Sequence, residues 1–246
     1  MTDEKQFNTA GPCITEDHYM IDPLKRIDHL EVVALIKAKR YFVLHAPRQT
    51  GKTTSLLALV KYLNATGLYR TVYVNIEGAQ TARHDVALGI GAVIQALARQ
   101  IRLDTGETRM EPWVQHHRAD NPNDVLTGML EAWCSLDTRP VVLILDEVDA
   151  LVGDTLIALL RQVRAGYQNR PSRFPQSVIL CGVRDIRDYR IHTSHQEIIT
   201  GGSAFNIKAE SLRVGNFSRA ESEALWLQHT HDTGQSFATE IFDELW

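Results

Sequence analysis

Short, continuous apolar runs alternate along this chain with longer segments in which apolar residues recur every three or four positions. The runs YFVLH (41–45), TVYVNI (71–76), PVVLIL (140–145) and SVILCG (177–182) are stretches of strand formers. Apolar on both alternate sets of positions, they predict strands buried on both faces of a parallel sheet. FNIK (205–208) is a candidate fifth strand. Helical spacing fills the intervals. Leu24, Ile27, Leu30 and Ala34 predict a helix over 24–39, and Leu56, Leu57, Val60 and Leu63 a second one that Gly67 ends. Val86, Ile90, Val93, Leu97 and Ile101 mark a long helix over 85–102. A polar stretch with Trp113, His116 and His117 follows, then helices over 123–135, entered through Pro122, and 154–168. This alternation of strand and helix is that of a doubly wound α/β sheet.

Both ends depart from the pattern. Residues 1–23 are polar, with two prolines and a Gly-Pro pair, and predict an ordered or semi-ordered approach segment rather than a helix. At Asn216 the character changes again. Ser218 followed by Glu221 forms a capping box, with Phe217 as a candidate staple, so a new helix starts there and runs through Trp226. A further helix begins near Ser236, and the final IFDELW, apolar and barely started, reads as a piece of a longer chain. The expected division is an approach segment (1–23), a core (24–215) and the start of a helical lid (216–246).

Composition narrows the class. With 246 residues and 44% hydrophobic content, the chain can bury a full core. A net charge of −4 supplies no global basic field for nucleic acid or acidic membranes, although a local basic surface stays open. No apolar run approaches the roughly 20 residues of a membrane helix, and MTDEKQFN is not a secretory signal, so a cytoplasmic protein without a membrane partner is expected. Cys13, Cys134 and Cys181 lack CxxC spacing and read as reduced thiols. The ten histidines form no i, i+4 pair backed by a third ligand, so no structural metal is assigned.

Between the first strand and the next helix lie Ala46, Pro47, Arg48, Gln49, Thr50, Gly51, Lys52 and Thr53. A small residue, four residues and then Gly-Lys-Thr is the pattern of a loop whose backbone amides curl around a β-phosphate. Gly51 permits the conformation, the new helix adds its positive dipole end, Lys52 reaches the β- and γ-phosphates, and the Thr53 hydroxyl ligates magnesium. Thr54 continues the run. Alanine stands at position 46 where glycine is usual. The alternative, a chance GKT in a loop, lacks the strand before and the helix after that this sequence supplies.

Further along comes VVLILDEVDAL. A buried strand that delivers two carboxylates at its C-terminal end sets them in the crevice where α/β sheets bind ligands. Asp146 would hold the magnesium and Glu147 would polarise the attacking water as general base; the bland alternative is a surface turn. A water-activating glutamate favours ATP hydrolysis over phosphoryl transfer to a small molecule, and the absence of an NKxD motif favours adenine over guanine. Asp149 has no assigned role beyond helping to cap the next helix.

After the fourth strand, CGVRD sets Arg184 where a guanidinium could contact the γ-phosphate; a surface arginine paired with Asp185 or Asp188 is the alternative. Asn75, ending the second strand, is either a partner for Glu147 or ordinary turn chemistry. Arg161, Arg164, Arg170, Arg173, Arg184, Arg187 and Arg190 crowd one stretch. They could supply an arginine finger to a neighbouring subunit, bind a nucleic-acid backbone, or form a solvated face.

With these residues assembled, the chain resembles the prokaryotic AAA-like ATPases of the P-loop superfamily (ASCE division), near the signal-transducing ATPases with numerous domains. The resemblance rests on Tyr19, Ile21 and Pro23 in the approach, FVLHAPRQTGKTT, LILDEVDAL, CGVRD and FSRAES. It implies an α/β three-layer sandwich with a parallel five-stranded sheet of order 5-1-4-3-2, an extra strand between the phosphate-loop strand and its partner, and a small C-terminal helical lid. It also implies that Ile21 and Pro23 contact adenine. The expected ligands are ATP or ADP and Mg2+. Two functions follow: an ATPase that turns over and oligomerises, or a slow nucleotide switch for an effector domain or partner protein outside this chain. A nucleotide-dependent DNA-associated protein is a third, resting on the arginines alone.

Overall fold

The computed structural model describes residues 5–185, 190–192, 198–200, 208–238 and 240–242. Its centre is a parallel sheet of five strands: β1 (Tyr41–His45), β2 (Arg70–Asn75), β3 (Val141–Asp146), β4 (Ser177–Gly182) and β7 (Lys208–Arg213). Their order is β2-β3-β4-β1-β7. With β7 as the fifth strand this is the 5-1-4-3-2 arrangement, and β4 is the strand inserted between the phosphate-loop strand β1 and β3. The candidate strand FNIK meets the structure at Lys208, where β7 begins and runs on to Arg213; residues 205–207 lie outside the described residues. Between β4 and β7, β5 (Arg190–His192) and β6 (Ile198–Thr200) form an antiparallel pair that the hydrophobic pattern does not signal.

Two cores flank the sheet. Phe42, Leu44, Tyr73, Val142, Ile144 and Ile179 face α2 (His29–Lys37) and α3 (Lys52–Ala65). Tyr41, Val43, Val74, Leu143, Leu145 and Leu180 face the opposite layer of α4 (Val86–Thr105), α5 (Met110–His117), α6 (Val125–Cys134) and α7 (Gly153–Ala165). Successive strand residues point to opposite faces, so a run apolar at every position is what a sheet covered on both sides requires.

The predicted helix over 24–39 is instead two: α1 (Pro23–Arg26), then α2. Asp28 breaks the run by adopting a left-handed φ of 43° and capping α2 through the N–H of Glu31. Leu30 is consequently turned to solvent at 70% exposure, outside the core that its spacing suggested. The stretch with Trp113, His116 and His117 forms α5, with the His117 ring stacked on Trp113 at 3.9 Å.

α4 runs for 20 residues from its Asp85 cap to Gly106 and, by length and composition, is apolar enough to cross a membrane. That corrects the expectation drawn from the sequence. In the fold Ile90, Val93, Leu97 and Ile101 bury one face of α4 in the core, which accounts for its apolar character as that of a core helix.

Arg70 is a buried cation with four backbone acceptors, the carbonyls of Trp133, Cys134, Asp137 and Arg139. It sits at the C-terminal end of α6, where the last carbonyls and the negative dipole end attract it. Cys13, Cys134 and Cys181 are free thiols, and burial pushes Cys134 up to about 12.

α8 (Arg219–Thr233) starts at Ser218, whose hydroxyl accepts from Glu221 N–H while Glu221 accepts from Ser218 N–H, the predicted capping box. It continues past Trp226 to Thr233. The ring of Phe217, the candidate staple, lies 4.3 Å from the Arg26 guanidinium carbon. The approach segment packs on α8 through Phe7 against Trp226 and a pair of hydrogen bonds between the Met20 backbone and the Gln228 side chain.

Candidate functional site

The loop 46–51 leaves β1 and turns into α3 through two left-handed residues, Gln49 (φ 62°) and Gly51 (φ 81°). A Cβ at Gly51 would meet no atom closer than the Phe217 ring at 4.0 Å, so its glycine serves backbone conformation and not clearance from the protein. Thr50 is buried and donates to Pro47 O at 2.9 Å, which closes the loop on itself. Ala46 is buried, whereas Arg48 and Gln49 are exposed.

Lys52 opens α3 and aims at the end of β3. In the parallel register Ile144 and Asp146 share the α3 face, and Asn75 pairs with Asp146. The Lys52 ammonium lies 2.7 Å from Asp146 Oδ1 and 3.3 Å from Glu147 Oε1. Burial works against the Lys52 charge, but the Asp146 carboxylate outweighs it and the ammonium is held above its ordinary value. The Thr53 hydroxyl stands 3.4 Å from Asp146 Oδ2. The phosphate-loop lysine, the threonine and both carboxylates therefore meet at one point.

Asp146 is fully buried, and two further donors satisfy it. Tyr73 OH donates to its Oδ2 at 2.8 Å, and the Glu147 N–H to its Oδ1 at 2.9 Å. Burial first, and then the neighbouring Asp146 carboxylate, push the Tyr73 phenol upward, so it stays a donor. Glu147 has a left-handed φ of 60°, which turns its side chain out of the strand line toward Lys52. A non-glycine residue in that region marks a constrained position.

The donor set suits a hard cation. Thr53 and Asp146 offer oxygens only, and magnesium is commonly held by one or two protein oxygens with phosphate oxygens and waters completing the shell. No group of three His, Cys, Asp or Glu residues that could hold a metal occurs among the described residues.

Beside the loop lies a cavity of about 610 Å3 whose walls include Phe7, Ile21, Pro23, Gly51, Thr54 and Phe217. Ile21 and Pro23, taken from the resemblance as adenine contacts, thus share a cavity with the phosphate loop. Arg184 is exposed two residues beyond β4, the strand between β1 and β3. Asn75 accepts from Glu77 N–H at 2.8 Å, which is turn chemistry rather than a bond to Glu147. Arg170 is not a free guanidinium: it stacks 3.4 Å from the Tyr167 ring centroid and donates to the carbonyls of Tyr167 and Lys39. Arg161, Arg164 and Arg173 are exposed, and Arg187 lies outside the described residues.

Three residues of the site carry no motif. Tyr73 reads in sequence as one more apolar strand residue, and Arg26 as the polar face of a helix. Asp149 does not cap α7, whose N-cap is Val152 without a side-chain bond; it accepts from Val183 N–H instead.

A family model described as an AAA domain matches residues 36–189. No curated protein sequence matches the chain. Among solved structures, the Walker-type ATPase of Pyrococcus abyssi is similar at a TM-score of 0.55 and 14% identity, over 97% of this chain and 65% of its own. Cdc6p from Pyrobaculum aerophilum aligns at 0.51 and 17% identity, covering 85% of this chain and 48% of its own. The ORC2 protein of Aeropyrum pernix, in ADPNP–ADP complexes, aligns at 0.50 and 14% identity, over 86% and 53%. The chain spans about half the length of the latter two.

Proposed function

The chain belongs to the AAA domain family of P-loop ATPases, and from that premise we propose that it binds ATP with magnesium and hydrolyses the β–γ phosphoanhydride, coupling nucleotide state to conformational change or oligomerisation. The observation that carries this reading is the convergence of Lys52, Thr53, Asp146 and Glu147, with Lys52 between two carboxylates at 2.7 and 3.3 Å.

The backbone of Ala46 to Thr54 and the N-terminus of α3 cradle the phosphates. Lys52 exchanges its carboxylate partners for β- and γ-phosphate oxygens. Thr53 and Asp146 would hold the magnesium, which would draw charge from the phosphate oxygens. Glu147 takes a proton from the water that attacks the γ-phosphorus, and ADP leaves. Arg184 contacts the γ-phosphate, and Ile21 and Pro23 pack on the adenine.

Calorimetry and a hydrolysis assay test the assignment. Lys52→Ala is expected to abolish ATP affinity, while Glu147→Gln keeps affinity and loses about 10²- to 10⁴-fold in turnover. Unchanged ATP affinity in Lys52→Ala would sink the nucleotide reading; unchanged turnover in Glu147→Gln would remove the general base.

One observation favours the slow switch. Arg26 joins the phosphate loop, through Thr50 O, to Glu221 on the lid helix, a direct route from nucleotide to lid. Turnover well below about 1 s⁻¹ that is insensitive to protein concentration supports the switch. Concentration-dependent activity lost in Arg161 or Arg164 variants supports the oligomer. The DNA-associated reading keeps the exposed Arg161, Arg164 and Arg173 but not Arg170, and absence of DNA binding at low salt would eliminate it.

A further inference from the structure

Resting on that reading of Glu147 and Arg184, we propose that Asp149 is a positioning residue whose carboxylate ties the turn carrying Glu147 to the loop carrying Arg184, so that both sides of the γ-phosphate site move as one piece.

After β3 the chain makes one tight turn, Val148–Ala150, closed by Ala150 N–H on Glu147 O and Leu151 N–H on Val148 O. Asp149 stands in this turn. Its Oδ2 accepts from the backbone N–H of Val183 at 2.9 Å. That amide sits just past the end of the sheet. The β3–β4 ladder ends at Leu145 with Leu180, and the β1–β4 ladder at His45 with Gly182. Beyond Gly182 a backbone donor has no strand partner in these ladders, and the carboxylate supplies one with a charge-assisted bond.

Arg184 is the next residue, so the clamp acts one peptide unit from the guanidinium. Glu147 lies two residues before Asp149, held left-handed at φ 60°. One side chain thus links the two elements that present the general base and the γ-phosphate contact.

Stability alone does not account for Asp149. Its Oδ1 is buried without a hydrogen-bond partner, a costly arrangement for a carboxylate oxygen. It caps no helix, since α7 has no side-chain cap.

The test measures affinity for ADP and for a non-hydrolysable ATP analogue, with magnesium, in the wild type, Asp149→Ala, Asp149→Asn, Arg184→Ala and the Asp149→Ala/Arg184→Ala double variant. Asp149→Ala and Arg184→Ala should each lower the preference for the triphosphate about tenfold, as expected for one charge-assisted contact. The double variant should lose no more than either single one. Asp149→Asn, whose amide oxygen still accepts from Val183, should keep the preference. ADP affinity should stay within about twofold throughout, well below the change of one hydrogen bond. If Asp149→Ala does not fold, Asp149→Glu, which displaces the carboxylate by one methylene, should show the same loss. Equal weakening of both nucleotides, or losses that multiply in the double variant, would overturn the proposal. An unchanged preference in Arg184→Ala alone would show that the assignment of Arg184 has failed, and the link with it.

Discussion

The guanidinium of Arg26 closes a 3.0 Å salt bridge on Glu221, the residue whose carboxylate also completes the capping box of α8. The same guanidinium donates to Thr50 O in the phosphate loop and to Gly215 O in the segment leading to α8, and stacks on Phe217. One side chain, only 7% exposed, thereby holds the phosphate loop, the connecting segment and α8 together.

Arg26→Ala should therefore destabilise the chain by about 1–3 kcal/mol, the worth of a charged group with several acceptors. Arg26→Lys should not rescue it, because an ammonium cannot reproduce the planar fork. Chemical denaturation gives the stability, and hydrogen exchange should show the loss concentrated in α8. Uniform protection along α8 in the alanine variant would contradict the docking role.

The same pair predicts an acid response. Burial opposes ionisation of Glu221, but the Ser218 backbone N–H and hydroxyl and the Arg26 guanidinium outweigh it, so the carboxyl is held below its ordinary value of 4.5. A lowered folded-state value means stabilisation that is complete above that ordinary value and is lost as pH falls through the lowered one. The difference in thermal midpoint between the wild type and Glu221→Gln should be constant near neutrality and shrink below about pH 4.5. A difference that persists in acid would place the stabilisation elsewhere.

Tyr73→Phe removes the hydroxyl that donates to Asp146 and that also interacts with the Thr53 side chain, the two groups assigned to magnesium. If Asp146 holds magnesium, the half-saturating magnesium concentration for hydrolysis should rise about tenfold or more, as for other groups that orient a metal ligand. Nucleotide affinity without magnesium should be unchanged. A wild-type magnesium response in the variant would show that Tyr73 does not orient Asp146.

Packing offers a test independent of nucleotide. A Cβ at Gly89 would stand 2.3 Å from Thr155 Cγ2, so α4 and α7 approach at a point where a methyl has no room. Gly89→Ala should cost about 1–3 kcal/mol despite alanine's better helix propensity. Gly91→Ala, which meets nothing within 4 Å, should be neutral or stabilising. Denaturant midpoints of the two variants decide it.

Much of this architecture was legible in local sequence, because the features concerned are set by neighbours in the chain. Apolar runs mark strands covered on both faces; the Ser218–Glu221 box starts α8; APRQTGKT bends a strand into a helix; and a carboxylate pair ending an apolar strand must lie at the sheet's C-terminal edge. What the sequence could not yield is every relationship between residues distant in the chain. Tyr73 looks apolar until the β2–β3 register sets its hydroxyl against Asp146. Arg170 belongs to a basic cluster until it is found stacked on Tyr41 and Tyr167. Arg26 and Glu221 lie at opposite ends of the chain, and Asp149 finds its donor across a strand gap. A hydrogen bond depends on angstroms and a motif on spacing, so the sequence by itself determined which chemistry was present, and the fold alone decided which groups hold it in place.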